Sequence, residues 1–174
     1  MDYALIIDSS GNGISSHFYP TTPKSYPANE IPCTQAQAQN PTMWMRGSAG
    51  AIEASLPAAR DRQKAILEVA YAAASSADVS FTTAAGVAKT YQADGSSQHV
   101  LLLAWTGYDA AGAVPSGFYW VASDNTQVPF TLADLKGLYA AMLAQGWAAF
   151  QHLQQRKAQV LAASDVASVQ AVVW

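Results

Sequence analysis

Charge is scarce in this sequence. Only 12% of its 174 residues are Asp, Glu, Lys or Arg, while 51% are apolar. An average soluble domain is roughly 25% charged. Much of the apolar share is alanine, which buries little area per residue. A surface this short of charge points to a partner and leaves room for a homo-oligomer. The nine basic residues are dispersed, in groupings no longer than Arg60-Asp61-Arg62-Gln63-Lys64 and Arg156-Lys157, and the net charge is −3. A nucleic-acid binder needs a basic footprint to release counterions from phosphates. None is visible, so nucleic acid is not an expected partner.

Cysteine is nearly absent. Cys33 alone excludes an internal disulfide and suggests synthesis in a reducing compartment. Its setting, "EIPCTQAQ", has no neighbouring histidine, so a structural cysteine is expected rather than a nucleophile. Long apolar runs are missing too. None reaches the ~18 uncharged residues that span a bilayer, so membrane insertion is not expected. "MDYALIIDSSG" has neither the basic start nor the long apolar stretch of a signal peptide. A soluble protein is expected, one that reaches any extracellular place by assembly or lysis.

Catalytic signatures are also lacking. His17, His99 and His152 lie far apart, outside any HxH, HExxH or CxxC pattern, so no metal site is expected. "SGNG" lacks the spacing and the following helix of a phosphate loop. "GAVPSG" does not fit the nucleophile elbow GxSxG. A catalytic carboxylate pair needs two acids converging in a cleft, and Asp94 and Asp124 are the candidates. Each precedes small polar residues, where helix caps and Asx-turns account for it. Neither an enzyme nor a cofactor is expected.

What the sequence does hold is an ordered set of short elements. "YALIID", the turn "SSGNG" and "ISSHFY" read as a hairpin. Pro20, Pro23, Pro27 and Pro32 predict an extended, largely irregular connector over 20–32. "TQAQAQN" fits one helical turn capped by Thr34. "TMWMRGSAGAIEAS" predicts a second hairpin turning at Gly47-Ser48-Ala49-Gly50. From Pro57 to about Ser75 the spacing of Ile66, Val69, Ala70 and Ala73 predicts a helix. "VSFTTAAGVAKTYQAD" predicts two strands turning at Ala85-Gly86. Asp94 or Ser96 caps a helix expected to stop near Gly107, with "YDAAGAVPSG" as a loop.

The run "GFYWVASDNTQVPFTLADLKGL" is the densest. It predicts a strand with Trp120 in the core, a turn at Asp124-Asn125-Thr126, and a short strand ending at Phe130. Thr131 and Asp134 then form a capping box with Asp in place of the usual Glu or Gln. The helix that follows is expected to reach about Ala163 and to bury Leu135, Leu138, Met142, Phe150 and Leu153. Gly137 and Gly146 weaken it by roughly 1 kcal/mol each, which suggests close packing at both. Ser164 is expected to cap a last short helix. The fold class is α+β. A β-hairpin module over 1–55, serving binding or attachment, precedes an α+β domain over 56–174 whose long helices cover a small antiparallel sheet.

The aromatics carry the functional reading. Phe18, Tyr19 and Tyr26 flank or lie within the proline-rich connector, and Trp44 sits on the second hairpin. Rigid aromatics beside prolines bind sugar faces or protein pockets at low entropic cost. The competing reading is that they roof a module with little core of its own.

From about Arg60 to Trp174 the chain resembles a domain found in bacteriophage tail and tail-fibre assembly proteins. "RDRQKAIL", "VSFTTAAGVAKTYQAD", "SSQHVLLL", "YWVASDNTQVPFTLADL", "QQRKAQVLAA" and "ASVQAV" occur in that order. The most specific element is W..(A/S)DN..V.(F/L)T..(D/E)L. Trp120, Asp124, Asn125, Val128, Phe130, Thr131, Asp134 and Leu135 carry it here. The first 55 residues are similar in style to the variable β modules of such proteins.

The resemblance implies a non-enzymatic phage or prophage tail protein that binds a tail-fibre or tail-tip polypeptide and assists its assembly. It would act in the host cytoplasm and in some cases stay on the virion tail. It implies no catalytic residues. The alternative is a structural tail component or adhesin that takes a host surface receptor, a glycan or pilus.

Overall fold

Strand β1 (Asp2–Ile7) pairs antiparallel with β2 (Gly13–Tyr19) and, on its other side, with β3 (Glu30–Cys33). These elements belong to a computed structural model that describes residues 1–47 and 50–174. The remaining elements are α1 (Gln35–Ala38), a 3-10 turn (Pro41–Met43), β4 (Trp44–Arg46), β5 (Ile52–Ala54), α2 (Leu56–Ser75), β6 (Val79–Thr82), β7 (Ala88–Tyr91), α3 (Gly95–Ala111), β8 (Tyr119–Val121), β9 (Gln127–Pro129), α4 (Leu132–Ala162) and α5 (Val166–Gln170). Helices beside small antiparallel sheets make an α+β fold, as the sequence predicts. The residues group into two compact units.

The first unit comprises Met1–Leu67 and Arg156–Val173. Its sheet order is β2-β1-β3, so the three strands bury the middle one. Ala4 and Leu5 on β1 are fully buried. The connector over 20–32 is not wholly irregular, because its last residues form β3. Ile31 lies opposite Leu5 and is buried with it. Pro32 is tolerated because β3 is an edge strand, where a missing donor costs little. Thr34 caps α1 as predicted, in a reciprocal capping box with Gln37.

The second hairpin pairs Trp44 with Ala54 and Arg46 with Ile52. Ser48 and Ala49 of its predicted turn lie outside the described residues. The hairpin docks on the start of β2. Asn12 bridges to Met45, and the Arg46 amide donates to the Gly11 carbonyl at 2.8 Å. Contact here is so close that a Cβ on Gly13 would stand 2.1 Å from the Pro41 carbonyl oxygen.

Within this unit α2 buries Ala59, Gln63 and Leu67. The helix is where the spacing places it, but the buried face differs from the predicted one. Ile66 and Val69 are exposed. Gln63 is buried because its amide donates to the Val172 carbonyl at 2.7 Å, and the Arg60 guanidinium donates to the Ala163 carbonyl at 2.8 Å. Two polar side chains thus anchor the C-terminal segment to α2. Asp165, not Ser164, caps α5. Its carboxylate accepts from the Ser168 amide at 2.7 Å and hydroxyl at 2.9 Å.

The second unit comprises Glu68–Gln155 with Trp174. Its core joins Tyr91, Leu101, Val128, Phe130, Leu135 and Leu138 with their buried neighbours. Hairpin β6–β7 turns at Gly86, whose φ of +83° suits glycine. Helix α3 is capped by Asp94 but runs past Gly107 to Ala111. Leu101, Trp105 and Tyr108 continue one face across the glycine and pack on the core. Their burial outweighs the roughly 1 kcal/mol cost of a helical glycine.

Helix α4 buries Leu135, Leu138, Met142 and Leu153, but Phe150 remains exposed. Ala149 holds the buried position instead, one residue around the helix. The two α4 glycines also differ. A Cβ at Gly137 would stand 2.9 Å from the Phe81 ring, whereas one at Gly146 would meet nothing within 4 Å.

Candidate binding edge and aromatic cluster of the first unit

Alternation along β2 sends Phe18 to one face of its sheet and His17 and Tyr19 to the other. Phe18 lies opposite Tyr3 on β1, and their ring centroids are 5.4 Å apart. On the reverse face Tyr19 lies 4.4 Å from the His17 ring and 5.4 Å, edge to face, from Tyr26. Tyr19 and Tyr26 therefore come together, and Phe18 sits on the far side of the strand. Trp44 is half-buried on the second hairpin, opposite Ala54.

The cluster contains residues that the sequence reading did not single out. The Glu30 side chain is only 8% exposed. Its carboxylate accepts from the Tyr19 hydroxyl at 2.6 Å and lies 3.3 Å from His17 Nδ1. Ala4 on the intervening strand is small enough for β2 and β3 side chains to meet above it. The hydrogen bond to Glu30 pushes the Tyr19 hydroxyl up to about 12, with burial adding to it. Burial, with the nearby Asp2, Cys33 and Glu30, raises Tyr26 as well. The cluster is thus a network of proton-bearing phenols around one carboxylate. The spacing His17-x-Tyr19 was a legible signal, since residues two apart on a strand share a face. Glu30 had none, because its role depends on β3 being a strand.

The two edges of this sheet differ. On β3, Pro32 removes a backbone donor, a feature that blunts edge pairing. On β2, the second hairpin covers the start. Ile14 is an unpaired bulge residue, since Ile6 faces Ser15 while Ile7 faces Gly13. From Ser15 to Phe18 every residue is exposed. Ile14 is 55% and Phe18 46% exposed, so the open edge is flanked by apolar surface.

The other candidates have structural roles. Asp94 accepts from the Ser96 amide at 2.9 Å and the Ser97 amide at 3.1 Å. The Ser96 and Ser97 hydroxyls, with these amides, hold it below the usual carboxylate range. Asp124 accepts from Lys89 Nζ at 2.6 Å and the Thr126 amide at 3.0 Å. The Lys89 ammonium, followed by Thr126, holds it low. Asn125 takes a φ of +64°, a conformation asparagine tolerates in turns. Thr131 and Asp134 form the predicted capping box. The Asp134 carboxylate accepts from the Thr131 amide at 2.9 Å and hydroxyl at 2.6 Å, and from the Ala84 amide at 2.7 Å.

The specific run from Trp120 to Leu135 is therefore a folding device. It turns at Asp124-Asn125, buries Val128 and Phe130, and starts α4 while tying it to the β6–β7 turn. Cys33 is half-buried, and burial pushes its thiol up, away from the thiolate a nucleophile needs. Among the described residues no group of three or more His, Cys, Asp or Glu side chains is placed to hold a metal ion. No helix among them is long and apolar enough to cross a membrane.

No curated protein and no solved structure matches this chain. A family model does match, over residues 52–173, from β5 through α5, and on that match the chain belongs to the family described as Domain of unknown function (DUF4376).

Proposed function

We propose that this chain is a non-enzymatic phage or prophage tail protein that binds a tail-fibre or tail-tip polypeptide and assists its folding and assembly. The observation that carries the binding reading is the exposed edge of β2 from Ser15 to Phe18, beside exposed Ile14 and Phe18. A bare edge offers unpaired backbone donors and acceptors to an incoming strand, and alternate side-chain positions set the register. Trimeric β-rich fibres expose similar edges before their chains pair, and such edges aggregate when left open. A chaperone that lends a strand edge covers them until the correct partner arrives. That the partner is a tail fibre rests on the resemblance of the Trp120–Leu135 run. The family match itself assigns no partner.

A second reading, a structural tail component or adhesin, draws on the Tyr19–Tyr26 ring pair, which offers aromatic faces to a host glycan. Mass spectrometry of purified particles separates the two. Stoichiometric presence at the tail tip with binding to host surface favours the adhesin, and absence favours a transient chaperone.

Co-expression with a candidate tail-fibre protein, followed by size-exclusion light scattering, tests the first reading. The two proteins are expected to co-migrate, and the fibre to aggregate when expressed alone. A fibre that is soluble and trimeric alone, and never co-migrates, contradicts the proposal.

A further inference from the structure

Gly137 in α4 is explained by the Phe81 ring against it, but nothing in the described chain takes up the space in front of Gly146. A glycine in mid-helix costs about 1 kcal/mol relative to alanine. Gly146 lies in a groove of about 710 Å³ whose lining includes Tyr71, Gln98, Met142, Leu143, Trp147 and Phe150 and no charged side chain. Leu143 and Trp147, one turn apart, stand beside it 57% and 60% exposed. Phe150 stacks on Trp147 at a centroid distance of 5.7 Å. Further round the helix, Ala140, Ala144 and Ala148 are exposed as well. From Gly137 to Gln155 the helix carries no Asp, Glu, Lys or Arg. The outward face of a solvated helix is ordinarily polar and charged.

We propose that this face is a two-fold interface between copies of this chain, with the Leu143–Trp147 ridge of each α4 seated in the Gly146 groove of the other. Two features select a second copy over a foreign partner. An isologous contact needs a knob and its hole on one surface, and here they are neighbours on one helix. Near a two-fold axis a charged residue also meets its own like-charged copy. The helix is free of charge over this stretch, while Lys136 and the Arg156-Lys157 pair flank it. Ridges made by residues four apart cross at about −50°, so the basic flanks of two such helices splay apart. Gly146 sits where an inserted ridge needs depth. This inference stands independently of the fibre-binding reading, since it uses neither β2 nor the aromatic cluster.

Sedimentation velocity and light scattering of the full chain over a concentration series test it. The wild type is expected to approach twice the 18.4 kDa chain mass. Trp147→Glu places a charge beside the axis, and Gly146→Leu fills the groove floor. Each is expected to weaken dimerisation by about thirtyfold or more, the mark of a central interface residue. Both should keep wild-type far-UV circular dichroism, since position 146 has free space and Trp147 is mostly exposed. A wild type that stays monomeric overturns the proposal and leaves the face to a helix of another protein. A dimer unchanged in both variants overturns it equally, because the two-fold then lies elsewhere.

Discussion

Tyr19 shows how one side chain reports on three strands. Its hydroxyl bonds Glu30, which reaches it only because β3 pairs with β1. Replacing Glu30 by Gln removes the carboxylate that holds the phenol proton. The Tyr19 titration should fall from about 12 toward the ordinary 10, and ¹³C NMR of the tyrosine ring carbons would follow it. A Tyr19 titration unchanged in Glu30→Gln would show that burial alone raises it. At this scale the sequence was legible where the chemistry is local. Thr34 with Gln37, Asp94 with Ser96 and Ser97, and Thr131 with Asp134 are caps written within four residues. It was silent on Glu30, whose partners are set by register. It placed one cap at Ser164 where Asp165, adjacent, holds the Ser168 amide with the stronger acceptor.

Among the elements, α4 starts on one buried carboxylate, Asp134. Burial pushes the pKa of Asp134 up, but the bonds from Thr131 and Ala84 outweigh it and leave it below the ordinary 3.8. A carboxylate depressed in the folded state adds stability that is full above the unfolded value and lost as pH falls through the folded one. The urea midpoint should therefore hold steady at neutral pH and drop progressively below pH 3.8. Asp94, Asp124 and Asp165 act with the same sign. Asp134→Asn should cost about 1–3 kcal/mol at pH 7 by leaving buried donors poorly paired, and should flatten the acid slope. Equilibrium unfolding measures both.

Gly137→Ala should destabilise by about 1–3 kcal/mol despite its better helix propensity, because the added methyl runs into Phe81. Thermal unfolding checks the sign, and a raised midpoint would mean that the Phe81 ring simply moves aside. Helix existence was legible from spacing in α2, α3 and α4. Their limits and faces were less so. Gly107 reads as a stop until Tyr108 is seen to pack on the core, and Ile66 and Val69 read as buried until Gln63 is found beneath the C-terminal segment.

For the molecule as a whole, the α+β class followed from runs of short strands and long helices. The conspicuous run from Trp120 to Leu135 serves the second unit's fold, and the surface proposed for a partner is the plainer "SSHF" of β2, which is exposed. Pro32 marks β3 as an edge, but nothing local in "SSHF" marks β2 as the other one, since that depends on the order of the sheet. Charge placed on that edge should block an incoming strand without disturbing the core. Phe18→Lys and Ile14→Lys are therefore expected to abolish co-migration with the fibre protein while leaving circular dichroism and thermal midpoint near wild type, because neither side chain belongs to the buried core. The most direct measurement is amide hydrogen exchange of the full chain with and without that fibre protein. Strand addition predicts new protection of the alternate amides between Ser15 and Tyr19 that point away from β1. Exchange at β2 unchanged in a complex that does form would contradict it.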